Sequence, residues 1–163
     1  MKAPKTIVLK RYKNGGTIEI YADLEHRGSD HKRVYACCRH FARRGKQTII
    51  MPNIHYKDPL YKIIFKTLIG TRYERKCPDF SVNGVFYEHE SFTSLNGKRT
   101  FKNMLKRGTR QSERIIIEDC GITDRFAERW CREAIKRGDC IDELFVIDKK
   151  GNIRKVFNVT EGK

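Results

Sequence analysis

Asn83-Gly84 stands between two apolar-rich runs, Phe80-Ser81-Val82 and Val85-Phe86-Tyr87. Asn and Gly both accept positive φ, so this dipeptide closes a two-residue turn whose twist matches the strands on either side. Folded that way, Val82 opposes Val85, Phe80 opposes Tyr87 and Asp79 opposes Glu88. Opposed residues share a sheet face, and Glu90, two residues on, shares that face with Glu88. The pattern predicts one face that packs, carrying Phe80, Val82, Val85, Tyr87 and His89. It predicts a second face that gathers the carboxylates of Asp79, Glu88 and Glu90. Like charges set opposite one another are destabilising. A divalent cation would offset that repulsion, and Mg2+ or Mn2+ takes carboxylate oxygen. The plainer alternative is a solvated strand face with no ligand.

The rest of the 163 residues bounds what such a hairpin serves. Length alone predicts one domain over 1–163, with N-terminal strands or a hairpin in 1–28 and a core in 29–159. The formal net charge of +15 points to a polyanion, foremost a nucleic acid. No apolar run reaches the roughly 20 residues of a membrane span, so a membrane is not an expected partner. The six cysteines include no C-x-x-C pair, and the spacing of Cys37, Cys38 and His40 is wrong for a zinc site. They read as packed thiols in a cytoplasmic protein. Met1 and the lack of a secretion signal favour a chain that stands alone.

Along the chain, Thr6–Leu9 and Thr17–Tyr21 flank the turn signal Asn14-Gly15-Gly16 and predict a hairpin. Gly28-Ser29-Asp30 opens a helix that Gly45 ends, and Gln47–Met51 reads as a short buried strand. Asp58-Pro59 starts a short helix that runs toward Gly70. Lys98–Ser112 reads as a helix with Phe101, Met104 and Leu105 inward, and Gly108 as a point where it breaks. Ile115-Ile116-Ile117 is a strand buried on both faces. Thr123 or Asp124 caps the next helix, whose stripe runs through Phe126, Trp130 and Ala134. Glu143–Ile147 and Ile153–Val159 close the chain as strands around a turn, and Thr160–Lys163 is expected to fray. The alternation gives an α/β fold, a mixed sheet flanked by helices.

Pro78-Asp79 followed by Glu88-x-Glu90 resembles the PD-(D/E)xK nucleases, whose fold is restriction-endonuclease-like. More narrowly, Lys76-Cys77-Pro78-Asp79-Phe80, Asn83-Gly84, Tyr87-Glu88, the basic helix and Gln111-Ser112-x-x-Arg114-Ile115-Ile116-Ile117 resemble certain toxin domains. These are the C-terminal tRNA-nuclease domains of contact-dependent growth inhibition proteins. The resemblance covers about residues 30 to 157. It implies a metal-dependent nuclease acting on tRNA-like RNA or on DNA, with Mg2+ or Mn2+ held by Asp79, Glu88 and Glu90. It also implies an acidic immunity-type protein as partner.

In one respect the chain departs from that pattern. Glu90 occupies the place of the family's lysine. Glu90 could serve as general base, Lys98 or Lys102 could supply the missing positive charge, or the fold could bind without cutting. The catalytic candidates are therefore Asp79, Glu88, Glu90 and Lys98. Arg99, Lys102, Lys106, Arg110 and Gln111 are the candidates to hold nucleic acid. Asp30 is the one acid near the first helix that could complete the set.

Overall fold

The computed structural model describes residues 1–25 and 31–162. The chain forms two compact units, Met1–Phe86 and Tyr87–Lys163. Residues 26–30, where the cap signal Gly28-Ser29-Asp30 and the candidate acid Asp30 lie, are outside the described residues.

The first unit is a mixed sheet between helices. Strand β1 (Thr6–Arg11) runs antiparallel to β2 (Thr17–Tyr21), β2 is parallel to β3 (Gln47–Ile50), and β3 is antiparallel to β4 (Phe80–Val82). The Asn14-Gly15-Gly16 turn forms as expected, and β1 runs two residues longer than its apolar run. Helix α1 (His31–Ala42) buries Val34, Cys37, Cys38 and Phe41 on this sheet, with Phe41 against Phe80. On the other side lies helix α2 (Pro59–Ile64), whose Tyr61 and Ile64 join Phe65, Met51 and Leu68 in a core cluster. Asp58 caps α2 by accepting from the Leu60 amide at 2.9 Å, and Pro59 fills its first position. The helix stops earlier than its sequence implies: the Phe65 backbone leaves helical geometry and a 3-10 turn, Lys66–Leu68, follows.

Strand β5 (Val85–Glu90) follows β4 after two residues, and both turn residues have positive φ, 48° at Asn83 and 82° at Gly84. The predicted tight reversal therefore forms. Asn83 also fixes its neighbour, because its side-chain oxygen accepts from the Gln47 amide at 2.9 Å.

The second unit is a four-stranded mixed sheet, its two helices covering one face. Strands β5 and β6 (Arg114–Glu118) are parallel, as are β6 and β7 (Glu143–Ile147), whereas β8 (Ile153–Asn158) is antiparallel to β7. Each parallel step uses a helix as its crossover, α3 (Gly97–Thr109) and then α4 (Asp124–Lys136). Thr123 caps α4, its hydroxyl accepting from the Phe126 amide. Phe101, Met104 and Leu105 of α3 and Ala127, Cys131 and Ala134 of α4 pack with Ile115, Ile117, Leu144 and Val146 in one cluster. The chain ends in a 3-10 turn, Val159–Gly162, where fraying was expected.

Helix α3 does not break at Gly108. A Cβ at that position would lie 2.8 Å from Cγ2 of Ile115, so the bare backbone lets the helix approach β6 closely. No helix among the described residues is long and apolar enough to cross a membrane. None of the six cysteines forms a disulfide; Cys37, Cys38, Cys120 and Cys131 are buried. Burial pushes the Cys38 and Cys131 thiols up to about 12.

One acid of the first unit is structural. Glu19 is only 6% exposed, and its carboxylate accepts from the Thr6 and Thr17 hydroxyls and from the Gln47 amide at 2.7–2.9 Å. Burial pulls its pKa up. The hydrogen bonds from Thr17, Gln47 and Thr6, with the charge of Arg11, outweigh that and hold it below 4.5.

Two stability predictions follow from these contacts. Gly108→Ala gains up to about 1 kcal/mol of helix propensity but overpacks Ile115 at about 1–3 kcal/mol. The net expectation is a lower urea midpoint, and a midpoint above wild type would show that Ile115 can step aside. For Glu19, the lowered folded pKa means its stabilisation is present above the unfolded value and is lost as pH falls through the folded one. Glu19→Gln is therefore expected to cost about 1–3 kcal/mol near neutrality. The gap to wild type should close in acid, and a gap independent of pH in paired denaturation curves would count against the ionised carboxylate.

Candidate functional site

Strand β5 carries the two candidate carboxylates of the second unit, Glu88 and Glu90, and its register on β6 fixes their face. Glu88 pairs with Ile115 and Glu90 with Ile117, and both isoleucines belong to the cluster under α3 and α4. The acids therefore share one face, as the alternation predicts, and it is the helix-covered face rather than the solvated one of the plainer alternative. Glu88 is 3% exposed. His89, between them, projects to the opposite face and is also buried. There its Nε2 lies 2.8 Å from Glu118 Oε1. On that face too the Tyr87 hydroxyl donates to Glu143 at 2.8 Å, and burial together with Glu143 pushes the Tyr87 pKa well up. Both faces of β5 thus pack, one through an imidazole and a phenol, the other around the acids.

The cation beside Glu90 comes from α3. Arg107 Nε donates to Glu90 Oε2 at 3.0 Å, and its NH2 group to the Ser91 carbonyl at 2.7 Å. Position follows from packing: Gly108 seats on Ile115, so the residue just before it reaches across to β5. The sequence names α3 as basic but cannot single out Arg107, since the contact spans 17 residues and a loop. A polar hollow of about 330 Å³ adjoins this pair, lined by Thr93, Ser94, Thr100, Asn103 and Arg107.

Asp79 lies in the first unit, where it is 9% exposed and its carbonyl accepts from the Met51 amide at 2.9 Å. Its charge is felt at Cys38, whose pKa is raised chiefly by burial and further by Asp79. Among the described residues, no group of three His, Cys, Asp or Glu side chains is gathered tightly enough to hold a metal ion. Within the second unit Glu88 and Glu90 are the two carboxylates that share this face of β5. Such an oxygen-only pair would suit Mg2+ if water and phosphate completed the shell.

The remaining candidates separate along α3. Lys98 Nζ lies 5.2 Å from the centre of the Phe126 ring, and Lys102 Nζ lies 3.9 Å from that of Trp130. Lys106 and Arg110 line a hollow with Trp130 and Arg137. Arg99 is exposed on α3, and Gln111 is half-buried just past its end, its amide donating to the Gly108 carbonyl. Trp130 packs partly on the core, as its stripe implies, yet carries cations on its ring. The arginines of α4 passed unnoticed in the sequence because the apolar stripe dominated it. Their own spacing, Arg125, Arg129 and Arg132, was the available signal.

With this geometry in view, residues 76–153 match the family described as the contact-dependent growth inhibition CdiA C-terminal domain. The matched stretch holds Asp79, Glu88, Glu90, α3, β6, α4 and β7. Among solved structures the chain is similar to a CdiA-CT/CdiI toxin and immunity complex from Burkholderia pseudomallei, at 18% identity. The TM-score is 0.42, over 83% of this chain and 91% of that one. No curated protein matches the sequence.

Proposed function

We propose that the chain is a toxin-type nuclease that hydrolyses phosphodiester bonds of tRNA-like RNA or of DNA with the help of Mg2+ or Mn2+. The observation that carries the reading is the placement of Glu88, buried, and Glu90, half-buried, on one strand face beneath α3, a helix with no acidic residue. A region matched to a family of growth-inhibition domains supports it. In this reading Glu88 and Glu90 hold the ion, and Asp79 is assigned the same role from the sequence motif alone. The chemistry a divalent ion would supply there is a lowered pKa for bound water and stabilised charge on the phosphate. Glu90 accepts the proton of the attacking water. Arg107 keeps Glu90 oriented and places a positive charge where the phosphate arrives. Lys98, Arg99, Lys102, Lys106, Arg110 and Gln111 hold the backbone that leads to this point. The acidic immunity-type protein would be the inhibitor of this activity.

The Arg107–Glu90 ion pair also favours a second reading, a domain of this fold that binds nucleic acid and does not cut it. The two part in one assay. Mixed tRNA and plasmid DNA are incubated with the chain in Mg2+, in Mn2+ and in EDTA. The nuclease reading expects cleavage only with metal, reduced by about a hundredfold or more in Glu88→Gln and Asp79→Asn. Gel shifts without turnover across the metal series would leave the binding domain. Equal cleavage by wild type and Asp79→Asn in EDTA would end the metal reading.

A further inference from the structure

Helices α3 and α4 pack side by side, and the seam between them is built from aromatic rings under cations. Phe101 meets Phe126 edge-on at 5.8 Å, and Phe126 lies parallel to Trp130 at 6.4 Å with 7° between the planes. Lys98 and Arg129 stand over Phe126, and Lys102 and Arg137 over Trp130, at 3.9–5.6 Å. Two hollows adjoin the ring pair. One, of about 600 Å³, is lined by Lys98, Arg125, Phe126, Arg129 and Arg132, with Glu128. The other, of about 410 Å³, is lined by Lys102, Lys106, Arg110, Trp130 and Arg137, with Asp139. Glu128 is engaged by Arg132 at 2.9 Å. Among the described residues, no ion pair involves Lys102, Lys106, Arg110, Arg129 or Arg137.

Cations held on ring faces lose less freedom when an anion arrives than cations waving in water. The rings are covered by charge, so they do not offer the bare stacking platform that unpaired bases need. What the face presents is a row of fixed positive heads beside hollows wide enough for a phosphodiester chain. A protein partner fits poorly, because protein interfaces deplete charge at their centre and here the centre is charge. We propose that the α3–α4 face is a sequence-independent binding surface for the phosphate backbone of a nucleic acid, with Arg129 and Arg137 among its contacts. The surface rests on the nucleic-acid part of the reading above, but not on hydrolysis. Arg107 and Glu90 lie on the other flank of α3, so backbone binding and chemistry are separable by mutation.

The test is anisotropy of a fluorescein-labelled RNA hairpin in EDTA across a KCl series. Each lost phosphate contact lowers the slope of log K against log salt by about 0.9. Arg129→Gln with Arg137→Gln is expected to lower it by about two and to weaken binding about tenfold or more at low salt. Arg129→Lys with Arg137→Lys, which keeps the charge, should retain most of the slope. Near-UV circular dichroism confirms that each variant is folded. A wild-type slope in the double Gln variant would overturn the proposal. So would displacement of the RNA by poly-glutamate at equal charge concentration, which would assign the face to an acidic protein. A chain that never cleaves but shows this slope upholds the surface and removes only hydrolysis.

Discussion

Helix α3 lies where it does because residue 108 has no side chain. With Ile115 Cγ2 filling the space a Cβ would take, the helix rests on β6 by its backbone. The rest of the second unit follows from that contact. Phe101, Met104 and Leu105 turn into the core, Arg107 reaches Glu90, and Lys98 and Lys102 fall toward α4 and its rings. One helix therefore separates an ion-paired carboxylate on one flank from a cationic seam on the other.

Local chemistry was legible in the sequence wherever one or two residues decide the backbone. Asn83-Gly84 gave its turn, Asp58-Pro59 its helix start and Thr123 its cap, each by a mechanism confined to a few neighbouring atoms. The unbroken Ile115-Ile116-Ile117 run announced a strand buried on both faces, and β6 is one, with all three side chains fully buried. Gly108 misled because its cost in a free helix is local, whereas its value here is a contact with a strand later in the chain.

How the candidate residues are arranged was much less legible than the local turns and caps. Alternation grouped Glu88 with Glu90 but left open whether their face meets water, since a lone strand reveals only which residues alternate and not which face a helix will cover. The register with Ile115 decides that, and register is tertiary. Glu19 escaped for the same reason, because the hydroxyls and amide that hold it come from β1, β2 and β3 together. The cations on Phe126 and Trp130 required knowing that α3 and α4 are neighbours. Periodicity places an arginine on a helix but not over a ring of the next one.

The thiols hold a last consequence. A sulfur reacts with oxidants chiefly as thiolate, and burial keeps Cys38 and Cys131 protonated throughout the physiological range. The interior sulfurs are thus indifferent to the redox state outside, and only Cys77 and Cys140 are partly open to it. A change of redox conditions around the molecule is therefore met first at Cys77 and Cys140.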